Sequence, residues 1–164
     1  MSQNRTELLQ GMAVFGATSI ETLHFVLEQS RDLVVPAGTY FFRRDDESQS
    51  FFVLERGRVE VLREHEGRSY RLNELGDGDC FGEMSLIECR NRNAAVRALS
   101  DCAAIEIPLS TLHSLYERDV NQYLLIQMNI AREISRRLRE ADRRLFANMI
   151  AASEEAGDYW WYLA

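Results

Sequence analysis

Phe51-Phe52-Val53-Leu54-Glu55-Arg56-Gly57-Arg58-Val59-Glu60-Val61-Leu62 decides the fold. The apolar run 51–54 is too short for a buried helix and ends in a charged turn built on Gly57. Val59 and Val61 then alternate with Glu60 and Leu62, the period of a strand. Working outward, His65-Glu66-Gly67-Arg68 turns the chain again, and Tyr70 and Leu72 alternate on the return. Gly76-Asp77-Gly78-Asp79 is a further turn. Ala94-Ala95-Val96-Arg97-Ala98 and Ala103-Ala104-Ile105-Glu106-Ile107 read as the last strands, closed by Pro108; on the other side, Val34-Val35-Pro36-Ala37-Gly38 opens the series. Short strands with a turn about every 8–12 residues predict an antiparallel sandwich or roll over residues 33–108.

Helical patterns flank this β zone. Leu8, Leu9, Met12 and Phe15 fall on one helical face, and Ile20, Leu23, Val26 and Leu27 follow at spacings of three and four. Thr18-Ser19-Ile20-Glu21 has the form of a helix start. Residues 1–32 are therefore read as packing helices of the same domain. Beyond the roll, Ser110-Thr111 is placed to cap a helix carrying Leu112 and Leu115. From Asn121 to Asn148 there is neither Gly nor Pro. Leu124, Ala131, Ile134, Leu138, Ala141 and Leu145 form a heptad-like stripe within the helical zone 109–148, which predicts a parallel homodimer through the Leu124–Leu145 stripe. Arg132, Arg136, Arg137, Arg139, Arg143 and Arg144 surround it, interspersed with Glu133, Glu140 and Asp142. Such alternation is read as a solvated helix face rather than a nucleic-acid surface. The tail 149–164 carries Tyr159-Trp160-Trp161-Tyr162, read either as folding back on the helix or roll, or as a partner-binding patch or a lid over the base.

The chemistry concentrates in Phe81-Gly82-Glu83-Met84-Ser85-Leu86-Ile87 and in Arg92-Asn93-Ala94-Ala95-Val96-Arg97-Ala98. Gly82 permits a tight turn and close approach of a ligand. Glu83 supplies a carboxylate beside it. Met84 to Ile87 suit one helical turn whose free amides, including that of Ser85, attract an anion. Arg92 follows ten positions after Gly82, and its fork can hold two oxygens of a phosphate. A ligand with one phosphate and a nearby hydroxyl fits this set.

This segment resembles the phosphate-binding cassette of cyclic nucleotide-binding domains, with spacing similar to that of the regulatory subunits of cAMP-dependent protein kinase. The flanking Val35-Pro36-Ala37-Gly38, Phe51-Phe52-Val53-Leu54 with Gly57, and Leu75-Gly76-Asp77-Gly78-Asp79 resemble the family's strand and turn signatures. The helices resemble those of catabolite-activator-type sensors, so the likeness covers about residues 8–148. It implies a mainly β, jelly-roll-like double-stranded β-helix, with the cassette at 81–98 and a lid or dimer helix in 109–148. It further implies that Arg92 pairs with the cyclic phosphate, Glu83 accepts from the ribose 2′-hydroxyl and Gly82 admits the ribose. Amides near Ser85 and at Asn93 and Ala94 would complete the cradle, and Met84 lies within it. Arg137, Ala141 and Asp142 are the implied neighbours of the base. Cys89 stands where relatives often have Gly in the loop before the Arg, and Asp45 where they often have Gly before an Asp. Asn93 replaces the usual Ser, Thr or Ala, which leaves cAMP and cGMP both open as ligands.

Composition bounds the remainder. The 164 residues carry 46% apolar and 27% charged residues and a net charge of −7; the nineteen basic residues are all Arg. An acidic total argues against a general phosphate-backbone binder. Only 16 residues follow Asn148, too few for a helix-turn-helix, so no DNA binding is expected. No apolar run reaches membrane-span length, and no secretory signal opens the chain, so a cytoplasmic protein is expected. Cys80, Cys89 and Cys102 form neither a disulfide framework nor a metal motif. His24, His65 and His113 are scattered, so neither metal nor cofactor nor enzymatic activity is expected. The reading is a cyclic nucleotide sensor signalling through its C-terminal helix to a protein partner. The alternatives are a dimerisation or scaffold module with an idle pocket, and a transcription regulator lacking its own helix-turn-helix.

Overall fold

The computed structural model describes residues 3–155. Helix α1 (Gln3–Gln10), a 3-10 turn (Ala13–Phe15) and α2 (Ile20–Glu28) precede the β strands. These are β1 (Arg31–Val35), β2 (Tyr40–Phe42), β3 (Ser50–Arg56), β4 (Val59–His65), β5 (Arg68–Leu75), β6 (Cys80–Phe81), β7 (Ala95–Ala98) and β8 (Cys102–Pro108). Helix α3 (Glu83–Glu88) interrupts them between β6 and β7; α4 (Leu109–Arg118) and α5 (Val120–Glu155) follow. The strands form two four-stranded antiparallel sheets, ordered β1-β8-β3-β6 and β2-β7-β4-β5. The expected antiparallel, jelly-roll-like class with flanking helices is therefore the observed one. The chain divides into two compact units, the first ending at Ile130 and the second beginning at Ala131.

Inner faces of both sheets supply the core: Phe52, Leu54, Phe81 and Ala104 from one, Val59, Leu75, Val96 and Ala98 from the other. Each strand delivers alternate residues to that interior, so burial of apolar area selects the register. Gly57 enables the β3–β4 reversal. Its φ is +115°, and a Cβ there would sit 2.7 Å from Cys102 Sγ. The β4 pattern is less simple than its alternation suggests. The β4–β5 register shifts between Val61 and Leu62, and Leu62 is buried, as Val59 is. Glu60 is buried too, because Arg97 on the adjacent β7 donates to it at 2.8 Å through Nε.

The N-terminal helices are fastened by polar contacts. Ser19 caps α2 by accepting from the Thr22 amide at 3.1 Å, as its position before Glu21 predicts. Arg5 bridges Asp32 on β1 and Glu55 on β3, at 2.6 and 2.7 Å. Asn129 on α5 donates to the carbonyls of Val14 and Gly16 at 3.3 and 2.8 Å, holding the 3-10 turn.

Two local expectations need correction. Leu8 and Ile20, assigned to apolar faces, are each 55% exposed; they lie on the sides of α1 and α2 away from Leu9, Leu23 and Val26, which are fully buried. Ser110 and Thr111 do not cap α4. Pro108 holds that position, and Thr111 lies buried inside the first turn, donating to the Gln29 carbonyl at 3.3 Å. Tyr159, Trp160, Trp161 and Tyr162 lie outside the described residues.

Helix α5 runs 36 residues without a break. In the second unit Glu133 accepts from Arg136 and Arg137 at 2.5 and 2.9 Å, and Glu140 pairs with Arg144, the expected spacings of three and four. Leu124, Leu138 and Leu145 are exposed. Among the described residues no helix is long and apolar enough to cross a membrane, and no group of three or more His, Cys, Asp or Glu is placed to hold a metal ion.

Candidate functional site

The β6–α3–β7 segment forms the site. Gly82 adopts a left-handed conformation, φ +83°, at the point where β6 turns into α3. A Cβ at this position would lie 2.6 Å from Arg92 Nη1. Two constraints therefore fall on one residue: the turn needs positive φ, and the guanidinium needs the space. Glu83 and Ser85 point inward from α3, at 2% and 4% exposure, while Met84 faces outward. Alternation within a single turn thus divides the motif.

Arg92 approaches from the far side. It is 3% exposed, although it lies in the loop before β7. Nη1 donates to the Gly82 carbonyl at 2.8 Å and Nη2 to the Ser50 carbonyl at 2.7 Å. Its guanidinium lies 4.1 Å from the centre of the Phe42 ring. Phe41, Phe42, Phe52 and Phe81 pack against one another around it, with centroid separations from 4.9 to 6.2 Å. Nε is buried and has no partner among the described residues. A buried donor left over in this way is costly and marks a place where an acceptor is wanted.

Electrostatics around Arg92 pull in opposite directions. Burial pushes its pKa below the ordinary arginine value, while the carboxylates of Glu106, Glu83 and Asp46 pull it back up. An arginine starts so high that it keeps its proton throughout the physiological range. The site thus holds a permanent, partly desolvated cation, and its attraction for an anion is stronger than that of a surface arginine.

Backbone bonds fix the loop. The Arg92 amide donates to the Asp46 carbonyl at 2.9 Å and the Asp45 amide to the Arg92 carbonyl at 2.8 Å. Asn91 adds a bond to the Asp45 carbonyl at 3.0 Å. The β2–β3 connection therefore positions the arginine. Asp45 and Cys89, the two residues standing where relatives often carry Gly, both take left-handed φ values of +68° and +51°. This chain keeps the backbone shape and tolerates the side-chain strain.

Of the sequence-predicted residues, the fold brings together Gly82, Glu83, Ser85 and Arg92. Ala94 is buried next to β7, and Asn93 is exposed, its Nδ2 4.0 Å from Met84 Sδ. Arg137, Ala141 and Asp142 belong to the second compact unit. Ser50, Phe42 and Asp46 hold or surround Arg92 and were not predicted. They sit 42, 50 and 46 positions before it, and only strand pairing connects them.

The comparisons agree with this geometry. The cyclic nucleotide-binding domain family matches residues 33–119. The chain is 30% identical over 142 residues to the cyclic AMP receptor protein of Thermus thermophilus, covering 84% of this chain and 62% of that protein. The crystal structure of the Thermus thermophilus catabolite activator protein aligns with a TM-score of 0.70 at 29% identity, over 84% of this chain and 63% of that one. A cyclic nucleotide-binding domain from Methylobacillus flagellatus shares the fold, with a TM-score of 0.78 at 18% identity, over 87% of this chain and 81% of that one. The chain thus spans less than two thirds of the Thermus relatives. The matched region contains β2 to β8, part of β1 and the whole β6–α3–β7 segment, and the chain belongs to the cyclic nucleotide-binding domain family.

Proposed function

We propose that this chain is a cyclic nucleotide receptor in which Arg92 takes the cyclic phosphate, Glu83 the ribose hydroxyl, and the amides at Ser85, Asn93 and Ala94 the remaining phosphate oxygens. One observation carries the reading: a buried guanidinium next to Gly82 with an unpartnered Nε. Two of its N–H groups are committed to backbone carbonyls, so a phosphate would use Nε and the free N–H groups on Nη1 and Nη2. The ligand is cAMP or cGMP. Glu83→Gln should weaken binding by about 1–3 kcal/mol, the range for a hydrogen bond to a charged group.

The rest of the chain takes roles in the same scheme. Residues 1–32 brace the roll, 33–108 carry the cassette, and 109–148 read it out to a partner through α5. Arg137, Ala141 and Asp142 are the base-side candidates. The exposed Leu124, Leu138 and Leu145, in register with Ala131, Ile134 and Ala141, support a homodimer through α5. Signalling requires the nucleotide to bind two states of that helix with different affinity.

Titration of the purified chain with cAMP and with cGMP, beside Arg92→Ala, tests the proposal. Saturable binding lost in the variant is expected. Absence of binding to wild type, together with a melting temperature indifferent to millimolar nucleotide, would leave a scaffold with an idle pocket.

A further inference from the structure

Strand β2 breaks its own alternation. On a regular strand, adjacent side chains face opposite sides of the sheet, yet Phe41 and Phe42 both pack against the core cluster. The β2–β7 register shifts between Tyr40 and Phe42, and an irregularity of this kind re-aims a side chain. Phe41 fills the core, edge-on to Phe52 and Phe81 with centroids 5.6 and 4.9 Å away. Phe42 also touches that cluster, stacking on Phe52 at 5.7 Å, but its face carries the Arg92 guanidinium. Cζ of Arg92 lies over the ring, 4.1 Å from its centre. Phe42 Cε1 stands 3.4 Å from the place that a Cβ on Gly82 would take, so ring and glycine bound one slot.

Within that slot the guanidinium is held at two atoms. Nη1 donates to the Gly82 carbonyl and Nη2 to the Ser50 carbonyl. A planar group held at two atoms keeps one rotation, about the line that joins them. Nε lies off that line, so the rotation decides where its N–H points. Nε is also the buried donor with no partner among the described residues, and no hydrogen bond there fixes the tilt. The ring can fix it, because the negative face of an aromatic ring attracts a cation laid over it. Phe52 is the next ring, 5.7 Å from Cζ, and contributes less. Contact through the face and hydrogen bonding through the edge use perpendicular directions of the guanidinium. A phosphate can therefore be taken at the edge while the ring stays beneath.

We propose that Phe42 is a positioning residue of the phosphate site: the irregular end of β2 turns its ring under Arg92, and the ring sets the tilt that aims Nε at the phosphate. The inference rests on the reading above that Arg92 takes the cyclic phosphate. An aliphatic side chain of similar volume would fill the slot and leave the tilt unset.

The test replaces Phe42 in the full chain by phenylalanine analogues carrying one, two and five ring fluorines, which keep the ring's shape and progressively cancel the negative charge on its face. Affinity is read by calorimetric titration with cAMP and with cGMP. It should fall stepwise, by about threefold to tenfold at five fluorines, the size of a cation–ring contact out of water. Phe42→Leu should lose about as much, and Phe42→Tyr, which keeps the aromatic face, should stay within about twofold of wild type. Thermal melts establish that each variant is folded. Affinity lost in Phe42→Leu but flat across the fluorinated series would make the ring mere packing and overturn the positioning role. A flat response in every variant overturns it as well. In both cases nucleotide binding by wild type leaves the receptor reading intact. Failure of wild type to bind either nucleotide overturns the receptor reading and the role of Phe42 with it.

Discussion

Arginine is used in two contrasting ways at the two ends of this chain. In the roll, Arg92 is almost fully buried and bonds backbone carbonyls ten and 42 residues away. In the second half of α5, Arg136, Arg137 and Arg144 pair with Glu133 and Glu140 three or four residues away; the Arg136 and Arg144 side chains are each 53% exposed. The first arrangement exists only once both sheets have formed. The second exists wherever the sequence is helical. Buried, long-range charge is costly to assemble and strongly coupled to an anionic partner, while exposed helical pairs contribute only tenths of a kcal/mol each.

The contrast breaks most sharply at Arg92. Arg92→Ala should reduce cyclic nucleotide affinity by about 3–5 kcal/mol, the size of a broken buried ion pair, read by direct titration. Arg92→Lys should recover little, because one ammonium cannot reproduce the fork. An affinity in Arg92→Ala close to that of wild type would place the ligand elsewhere. Next in size is Gly82→Ala. The added carbon meets Arg92 Nη1 at 2.6 Å and Phe42 Cε1 at 3.4 Å, on a backbone with φ +83°. Stability should drop by about 2–4 kcal/mol in denaturant unfolding, from strain and overpacking together. A near-neutral result would mean that Arg92 moves aside freely.

A smaller effect of opposite sign is expected at Cys89, exposed and left-handed at the end of α3. Cys89→Gly removes the left-handed strain at a helix C-terminus and should stabilise the protein by about 0.5–1 kcal/mol in the same unfolding experiment. The smallest effect belongs to α5. The hydrogen bond from Arg136 holds the Glu133 carboxyl below its ordinary value. A carboxyl depressed in the folded state contributes stability above its unfolded pKa and loses it as pH falls through the folded value. Acid titration of helicity should therefore show a loss below the ordinary carboxylate range that Glu133→Gln does not show. Identical acid profiles would remove Glu133 from the account.

Legibility followed the same division. The strands and turns around Gly57, Gly67 and Gly78 were readable because period-two alternation and left-handed glycines are local signals. The ion pairs of α5 were readable for the same reason. Gly82, Glu83 and Arg92 were legible through their order and spacing. Ser50, Phe42 and Asp46 were not, since no local signal links residues joined only by strand pairing and the loop contacts around it. Local pattern also failed at Glu60, which a strand alternation exposes and Arg97 buries, and at Thr111, which resembles a cap and instead braces the Gln29 carbonyl.

By itself the sequence determined the β class, the flanking helices, the cassette and the cation at its centre, because each depends on neighbours within a few residues. Tertiary structure alone decided that this cation is desolvated, and that its Nη groups rest on two carbonyls while Nε has no partner among the described residues. Those properties depend on which distant segments the two sheets bring within a few ångströms, and burial acts on the resulting neighbourhood rather than on the order of residues along the chain.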